Sequence, residues 1–212
     1  MKEKLESIRV EYNSKEINYN SLLSNPIDQL KLWMNDAINS KIKDANAVIL
    51  STYDNEIGVQ SRVVLIKQIN ETGLIFYTNF DSAKACQIAK NKNVSLCFFW
   101  SDLERQIRIN GIVKKISEDE SNSYWNLRPR DSQISAIFSK QSQEIGHNFD
   151  LKKEFNIFKK SLENKKIKRP RNWGGYIIIP NYFEFWSGKK NRQHDRFVYA
   201  KDDKWLIRRL FP

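Results

Sequence analysis

The sequence predicts a mostly antiparallel β-barrel with helices at the front and in the middle. Three observations carry this expectation. Short runs rich in Val, Ile, Phe and Tyr recur from Ala47 to Ile116, separated by turn residues, as Asn70-Glu71-Thr72-Gly73 separates two of them. Helical spacing and capping signals fall before residue 40, in one short stretch after Asp81-Ser82, and between 117 and 165. After Gly174-Gly175 the strand pattern returns and runs to the C-terminus. The 212 residues suit one domain, 1–212, with an N-terminal arm and helix (1–40), barrel strands (45–116 and 172–212) and a helical segment (117–165).

Residues 1–24 are polar, with an amphipathic hint at Leu5, Ile8 and Tyr12 that fits a helix or a mobile arm. Asn25-Pro26 reads as an N-cap followed by proline at the first helical position. Ile27, Leu30, Met34, Ala37 and Ile38 then continue a helix to about Asn39. Strands follow at Ala47–Thr52, Val59–Lys67 and Leu74–Thr78. Asp81-Ser82 can cap a helix that carries Ala85, Ile88 and Ala89 on one face. Strands at Val94–Trp100 and Arg105–Ile116 come next. Ser117-Glu118-Asp119-Glu120 matches a capping box, Pro129 ends that helix, and further helices begin near Asp131-Ser132 and Asp150. The final strands are expected at Tyr176–Ile179, Phe183–Trp186, Arg192–Ala200 and Trp205–Leu210, the last two forming a hairpin around Lys201-Asp202-Asp203.

Composition narrows the function classes. No apolar run approaches the ~20 residues of a membrane span, and the charged start Met1-Lys2-Glu3-Lys4 is unlike a signal peptide. Cys86 and Cys97 lie in apolar contexts and read as free buried thiols of a reducing cytosol, so a cytoplasmic protein is expected. With two histidines, His147 and His194, no metal-ligand cluster stands out. The formal charge of +11 fits an anionic partner or serves solubility alone. The basic run Lys165–Arg171, broken by Pro170, reads as a solvated linker.

Chemistry concentrates in a few places. If the residues after Gly188 form a strand, Arg192, His194 and Arg196 share one face, either a receptor for a planar anion or a solvated edge. Arg62 and Lys67 flank the apolar run Val63–Ile66. Lys84 stands in the first turn of its helix, where a phosphate would satisfy it together with free N–H groups. Tyr124, Arg128 and Ser132, four residues apart, offer two hydroxyls and a guanidinium to a phosphate, or simply mark a kinked helix junction. With no phosphate loop and no nucleophile–base pair, an enzyme of this sequence would supply binding and electrostatics while a cofactor supplies reactivity.

These stretches, in order, resemble the pyridoxamine 5′-phosphate oxidase family. The segments are Arg9-Val10-Glu11-Tyr12, Ser61-Arg62-Val63-Val64-Leu65-Ile66-Lys67, Phe76-Tyr77-Thr78-Asn79, Leu103-Glu104-Arg105-Gln106, Arg128-Pro129-Arg130-Asp131-Ser132-Gln133-Ile134, Ser139-Lys140-Gln141-Ser142, Trp173-Gly174-Gly175, Glu184-Phe185-Trp186, Arg192-Gln193-His194-Asp195-Arg196-Phe197 and Arg209-Leu210-Phe211-Pro212. The resemblance implies an FMN-binding split β-barrel homodimer. It further implies an enzyme that converts pyridoxamine or pyridoxine 5′-phosphate to pyridoxal 5′-phosphate with O2, releasing H2O2 and, from the amine, ammonia.

By the same resemblance Arg62, Val63, Val64, Leu65, Ile66, Lys67, Tyr77, Thr78, Lys84, Gln106, Gln141, Ser142, Trp186 and Arg196 bind FMN, some from the second subunit. Lys67, Tyr124, Arg128 and Ser132 grip the substrate phosphate, Arg192 and His194 face its ring, and Arg9, Val10, Glu11 and Tyr12 close over it. Two positions depart from the family pattern: Val10 replaces a basic residue, and Ala83 stands where the family often has arginine. A different split-barrel flavoprotein, such as a flavin reductase, would not need the Arg128–Ser132 grip or the Arg192/His194 pair. A basic nucleic-acid-binding module would not be yellow.

Overall fold

In the computed structural model, residues 2–8 and 10–212 are described. A short helix α1 (Lys2–Glu6) leads through an extended arm to α2 (Pro26–Asn39). The Asn25 side chain caps α2 by accepting the N–H of Ile27 at 2.9 Å. Its apolar face, Ile27, Leu30, Trp33, Met34 and Ala37, is buried on the sheet. Trp33 meets Phe185 edge-on with centroids 5.1 Å apart.

The strands are β1 (Ala47–Asp54), β2 (Gly58–Leu65), β3 (Gln68–Ile69), β4 (Leu74–Asn79), β5 (Asn93–Trp100), β6 (Arg105–Lys115), β7 (Trp173–Ser187), β8 (Asp195–Lys201) and β9 (Trp205–Arg209). All pairings are antiparallel. The main path runs β2-β1-β5-β6-β7-β4-β3, with β8 on β7 and β9 on β8. The path ends at β2 and β3 without closing, so the expected barrel is an open, split one. Helix α3 (Ala83–Lys90) follows β4; α4 (Glu118–Leu127), α5 (Arg130–Phe138) and α6 (Leu151–Ser161) separate β6 from β7. The capping box of α4 forms as expected: Ser117 Oγ accepts the Glu120 N–H, and the Glu120 carboxylate accepts the Ser117 N–H, each at 3.1 Å. A second apolar cluster, built on Trp125, Ile134, Ile167 and Trp173, holds these helices to the start of β7.

Several expectations are corrected. Tyr176–Ile179 and Phe183–Trp186 are parts of the single strand β7, whose register against β6 shifts at Asn110/Gly111. Gly111 permits the irregularity, because a Cβ there would lie 2.5 Å from the Ile179 carbonyl oxygen. The strand expected to reach Lys67 stops at Leu65, and the two-residue β3 was not anticipated.

The helix face read as Ala85, Ile88 and Ala89 buries Lys84, Ala85, Gln87 and Ile88, leaving Ala89 exposed. Cys86 is exposed and Cys97 half-buried; both thiols are free. The Lys165–Arg171 run is more than a solvated linker. Ile167 is buried, and Arg169 reaches Glu118, Asn122 and the Trp173 carbonyl. No helix of the described residues is long and apolar enough to cross a membrane.

Candidate active site

A cavity of about 440 Å³ opens between β2, β4, α3 and the α4–α5 junction. Its lining joins residues far apart in sequence: Val63, Val64, Leu65 and Lys67 after and along β2, Tyr77 and Thr78 on β4, Lys84 on α3, and Tyr124, Arg128, Pro129, Ser132 and Gln141. Strand β2 alternates half-buried and exposed residues, which leaves Val63 64% and Leu65 40% exposed. That much uncovered apolar strand beside cations suits a ligand with a flat apolar body and a charged end.

The α3 end of the cavity is built for an anion. Ser82 stands at the N-cap position, but its side chain does not cap the helix, so the first N–H groups of α3 lack that partner. Its hydroxyl instead accepts from Lys84 Nζ at 3.1 Å, and Thr78 Oγ1 accepts from the same ammonium at 3.3 Å. Lys84 is only 8% exposed. Burial, and then the nearby Arg62, lower its pKa. An arriving anion would favour the charged ammonium and oppose that lowering. Burial also lowers the pKa of Arg62, whose guanidinium donates to Thr52 Oγ1 and, at 3.1 Å, to Gln87 Oε1.

The helical end holds a second cation. Arg128 lies over the Trp173 ring at 4.5 Å and donates to the Ser132 carbonyl at 2.8 Å. Its Nε is buried without a hydrogen-bond partner. Tyr124, Arg128 and Ser132 do not meet through a continuous helix. α4 ends at Leu127, Arg128 is extended (φ −71°, ψ 141°) and Pro129 precedes α5. The break turns Arg128 inward beside the stacked rings of Tyr77 and Tyr124. Burial raises the pKa of both phenols, Tyr77 to about 12, so both remain neutral hydroxyls. Among the described residues, Arg62, Lys67, Lys84 and Arg128 have no carboxylate at ion-pair distance. Lys67, Lys84 and Arg128 line the cavity, with Arg62 close to Lys84, and such unneutralised cations can hold anionic groups.

The other expected site residues lie elsewhere on the chain. Gln106, Trp186 and Arg196 are direct neighbours across β6, β7 and β8 and so share one sheet face. Tyr77 and Thr78 pair with Gly175 and Gly174 at the opposite end of β7. Trp186 is eleven residues beyond Gly175, roughly 36 Å along an extended strand. Arg196 is bound to Glu184 at 2.8 Å and to the Phe211 carbonyl at 2.9 Å. Ile66 is buried in the core, its N–H bonded to the Asn46 carbonyl, and does not line the cavity. Ser142 is exposed with φ 73°.

Arg192 and His194 do not alternate along a strand with Arg196. Asn191 and Arg192 have φ of 54° and 60°, which forms a tight turn, and β8 begins only at Asp195. His194 packs instead against Trp186 (4.7 Å) and Tyr12 (5.8 Å). Its Nδ1 accepts the Lys189 N–H at 3.0 Å, which leaves the proton of the neutral ring on Nε2. Burial, and then Arg192, lower its pKa. Tyr12 reaches this group because the arm is tied down. Asn13 N–H donates to Glu104, Ser14 bonds Gly188 and Ser187, and Ile17 N–H donates to Asp195. Val10 and Glu11 are exposed, and Arg9 lies outside the described residues. Sequence reasoning missed Thr52, Gln87 and Glu184, the buried neutral or paired groups that orient the cations.

Known proteins share this sequence pattern and fold. The family model described as "Pyridoxamine 5'-phosphate oxidase" matches residues 34–155. The model described as "Pyridoxine 5'-phosphate oxidase C-terminal dimerisation region" matches residues 173–212. A pyridoxine/pyridoxamine 5′-phosphate oxidase of Legionella pneumophila (strain Paris) is 44% identical over 98% of this chain and 97% of its own. One from Cytophaga hutchinsonii is 39% identical over the whole of both chains. Among solved structures, PhzG from Burkholderia lata 383, in complex with tetrahydrophenazine-1-carboxylic acid, superposes with a TM-score of 0.87 at 25% identity, covering 94% of this chain and all of that one. A pyridoxamine 5′-phosphate oxidase-related, FMN-binding protein from Nostoc punctiforme shares the fold, with a TM-score of 0.72 at 16% identity over 91% of this chain and all of that one.

Proposed function

Because this chain belongs to the pyridoxamine 5′-phosphate oxidase family, we propose that it oxidises pyridoxamine and pyridoxine 5′-phosphate to pyridoxal 5′-phosphate as an FMN-dependent homodimer. The observation that carries the reading is a cavity lined by Lys67, Lys84 and Arg128, none of which has a carboxylate at ion-pair distance among the described residues. The residues present fit FMN. Lys84 is buried with only hydroxyl partners, Arg62 stands beside it, and the uncapped start of α3 offers N–H groups to the cofactor phosphate. Bound there, FMN would supply the redox chemistry, taking up a hydride equivalent from the substrate and returning two electrons, with two protons, to O2 as H2O2.

The chain's own residues bind and orient. The orphaned Nε of Arg128, with Lys67 and the hydroxyls of Tyr124 and Ser132, takes the substrate phosphate. The apolar edge Val63–Leu65 receives the flat cofactor and, with Tyr77 and Tyr124, keeps water from it. Gln106, Trp186, Arg192, His194 and Arg196 lie too far along β7 to serve the cavity of their own chain, so the second subunit supplies them. The match of residues 173–212 to a dimerisation region supports this assignment. His194 presents its Nε2 proton and Arg192 a fixed charge to the substrate ring, and Tyr12 packs against the imidazole.

Oxygen consumption with pyridoxine 5′-phosphate, pyridoxamine 5′-phosphate and unphosphorylated pyridoxine tests the reading. Turnover of the two phosphorylated compounds, with little of the third, is expected. Equal turnover of pyridoxine would sink the phosphate assignment. A monomer by light scattering that still holds one FMN per chain would sink the shared site.

A further inference from the structure

Arg62 is held by an uncharged clamp. Its Nη2 donates to Gln87 Oε1 at 3.1 Å and its Nη1 to Thr52 Oγ1. Thr52 in turn donates to the same Gln87 oxygen at 2.5 Å, and Gln87 Nε2 donates to Gln60 Oε1 at 2.7 Å. Gln87 and Thr52 are 3% and 2% exposed. The Gln87 oxygen therefore uses both lone pairs inside the protein, and its orientation is fixed by Gln60 on the far side. A half-buried guanidinium held by side chains that are themselves buried could have been matched to a carboxylate. Here every partner is neutral, so Arg62 is oriented yet keeps its full charge for a ligand beside Lys84.

We propose that Gln87 is a positioning residue that aims the Arg62 guanidinium at the cofactor phosphate while leaving its charge free. The inference rests on the FMN reading above and adds a residue to it. A neutral amide at this place is functionally required. The isosteric Gln87→Glu would put a buried carboxylate against Arg62, satisfy it internally and remove its attraction for phosphate. Gln87→Met would keep the packing volume and remove the acceptor, freeing the fork to turn away.

The test is fluorescence titration of the full-length apoprotein with FMN and, separately, with riboflavin, which lacks the phosphate, alongside thermal melting of the apoprotein. In Gln87→Glu, affinity for FMN should fall roughly tenfold or more, while affinity for riboflavin and the melting temperature are not reduced. Gln87→Met should show a smaller loss, again confined to FMN, and decides the matter if Gln87→Glu fails to fold. Wild-type affinity for FMN in these variants, or parallel losses for FMN and riboflavin, would overturn the positioning role. A wild-type protein that does not distinguish FMN from riboflavin would instead overturn the phosphate reading on which the role depends.

Discussion

The rings of Tyr77 and Tyr124 stack with centroids 3.8 Å apart and planes 15° apart, joining β4 to α4 at the mouth of the cavity. Trp173 extends the stack, 5.5 Å from Tyr77 and 12° from parallel. Ring packing thus fixes the side chain that Tyr124 projects from α4. Tyr124→Phe should keep the stack and lose one donor to the substrate phosphate. The Michaelis constant for pyridoxine 5′-phosphate should rise roughly tenfold with turnover little changed, since a hydrogen bond to a charged group is worth about 1.5–3 kcal/mol. Steady-state kinetics check this; an equal loss in turnover would place the hydroxyl in the chemical step.

Arg128 carries the larger share of the same grip, because its Nε is buried and has nothing else to bind. Arg128→Met preserves contact with Trp173 and removes the charge. The Michaelis constant for the phosphorylated substrate should rise by roughly one to two orders of magnitude. Affinity for FMN, held by Lys84 and Arg62, should remain. A matching loss of FMN in the titration would show that the two anion sites are not separate.

The positions of most strands and helices were legible because each depends on local pattern, alternation and caps. The sheet order was not: β4 pairs with β7 and β3, not with β2 as a simple meander would have it. Nor was the geometry of Arg192 and His194. Alternation assumes extended backbone, and Asn191 and Arg192 depart from it with positive φ at non-glycine residues, which no sequence rule required. The joining of β7 into one strand was hidden by Pro180, which a register shift accommodates opposite Gly111. Gln87 was hidden because a neutral polar residue on a helix reads as solvated until the sheet that buries it is known.

His194 gives a pH-dependent readout. Its pKa is lowered by burial and then by Arg192, so the folded protein binds the proton more weakly than the unfolded chain does. The packing of Tyr12 and Trp186 on the neutral ring is therefore fully present above the unfolded histidine pKa, near 6.5, and weakens as pH falls below it. Arg192→Ala removes the repulsive charge and should move the His194 titration upward toward its ordinary value. Proton NMR of the imidazole measures this directly; an unchanged midpoint would mean that the two side chains do not interact in solution.

The last prediction concerns Ala83, the first residue of α3, which is exposed beside the buried Lys84. The helix start here has no side-chain cap, because Ser82 spends its hydroxyl on Lys84. An anion bound at this end meets Lys84, Arg62 and backbone N–H groups, enough donors to hold a phosphate without help from position 83. An arginine at that position would add a forked donor from the solvent side, where salt screens it and side-chain entropy opposes it. Ala83→Arg should therefore tighten FMN binding by about 1 kcal/mol at low salt, and the gain should shrink as salt is raised. The wild-type protein should retain FMN in dilute buffer and lose part of it on dialysis at high salt. Fluorescence titration of the apoprotein at two ionic strengths checks both statements. Unchanged affinity in Ala83→Arg at low salt would show that this residue faces away from the phosphate, and that Arg62 and Lys84 alone define the site.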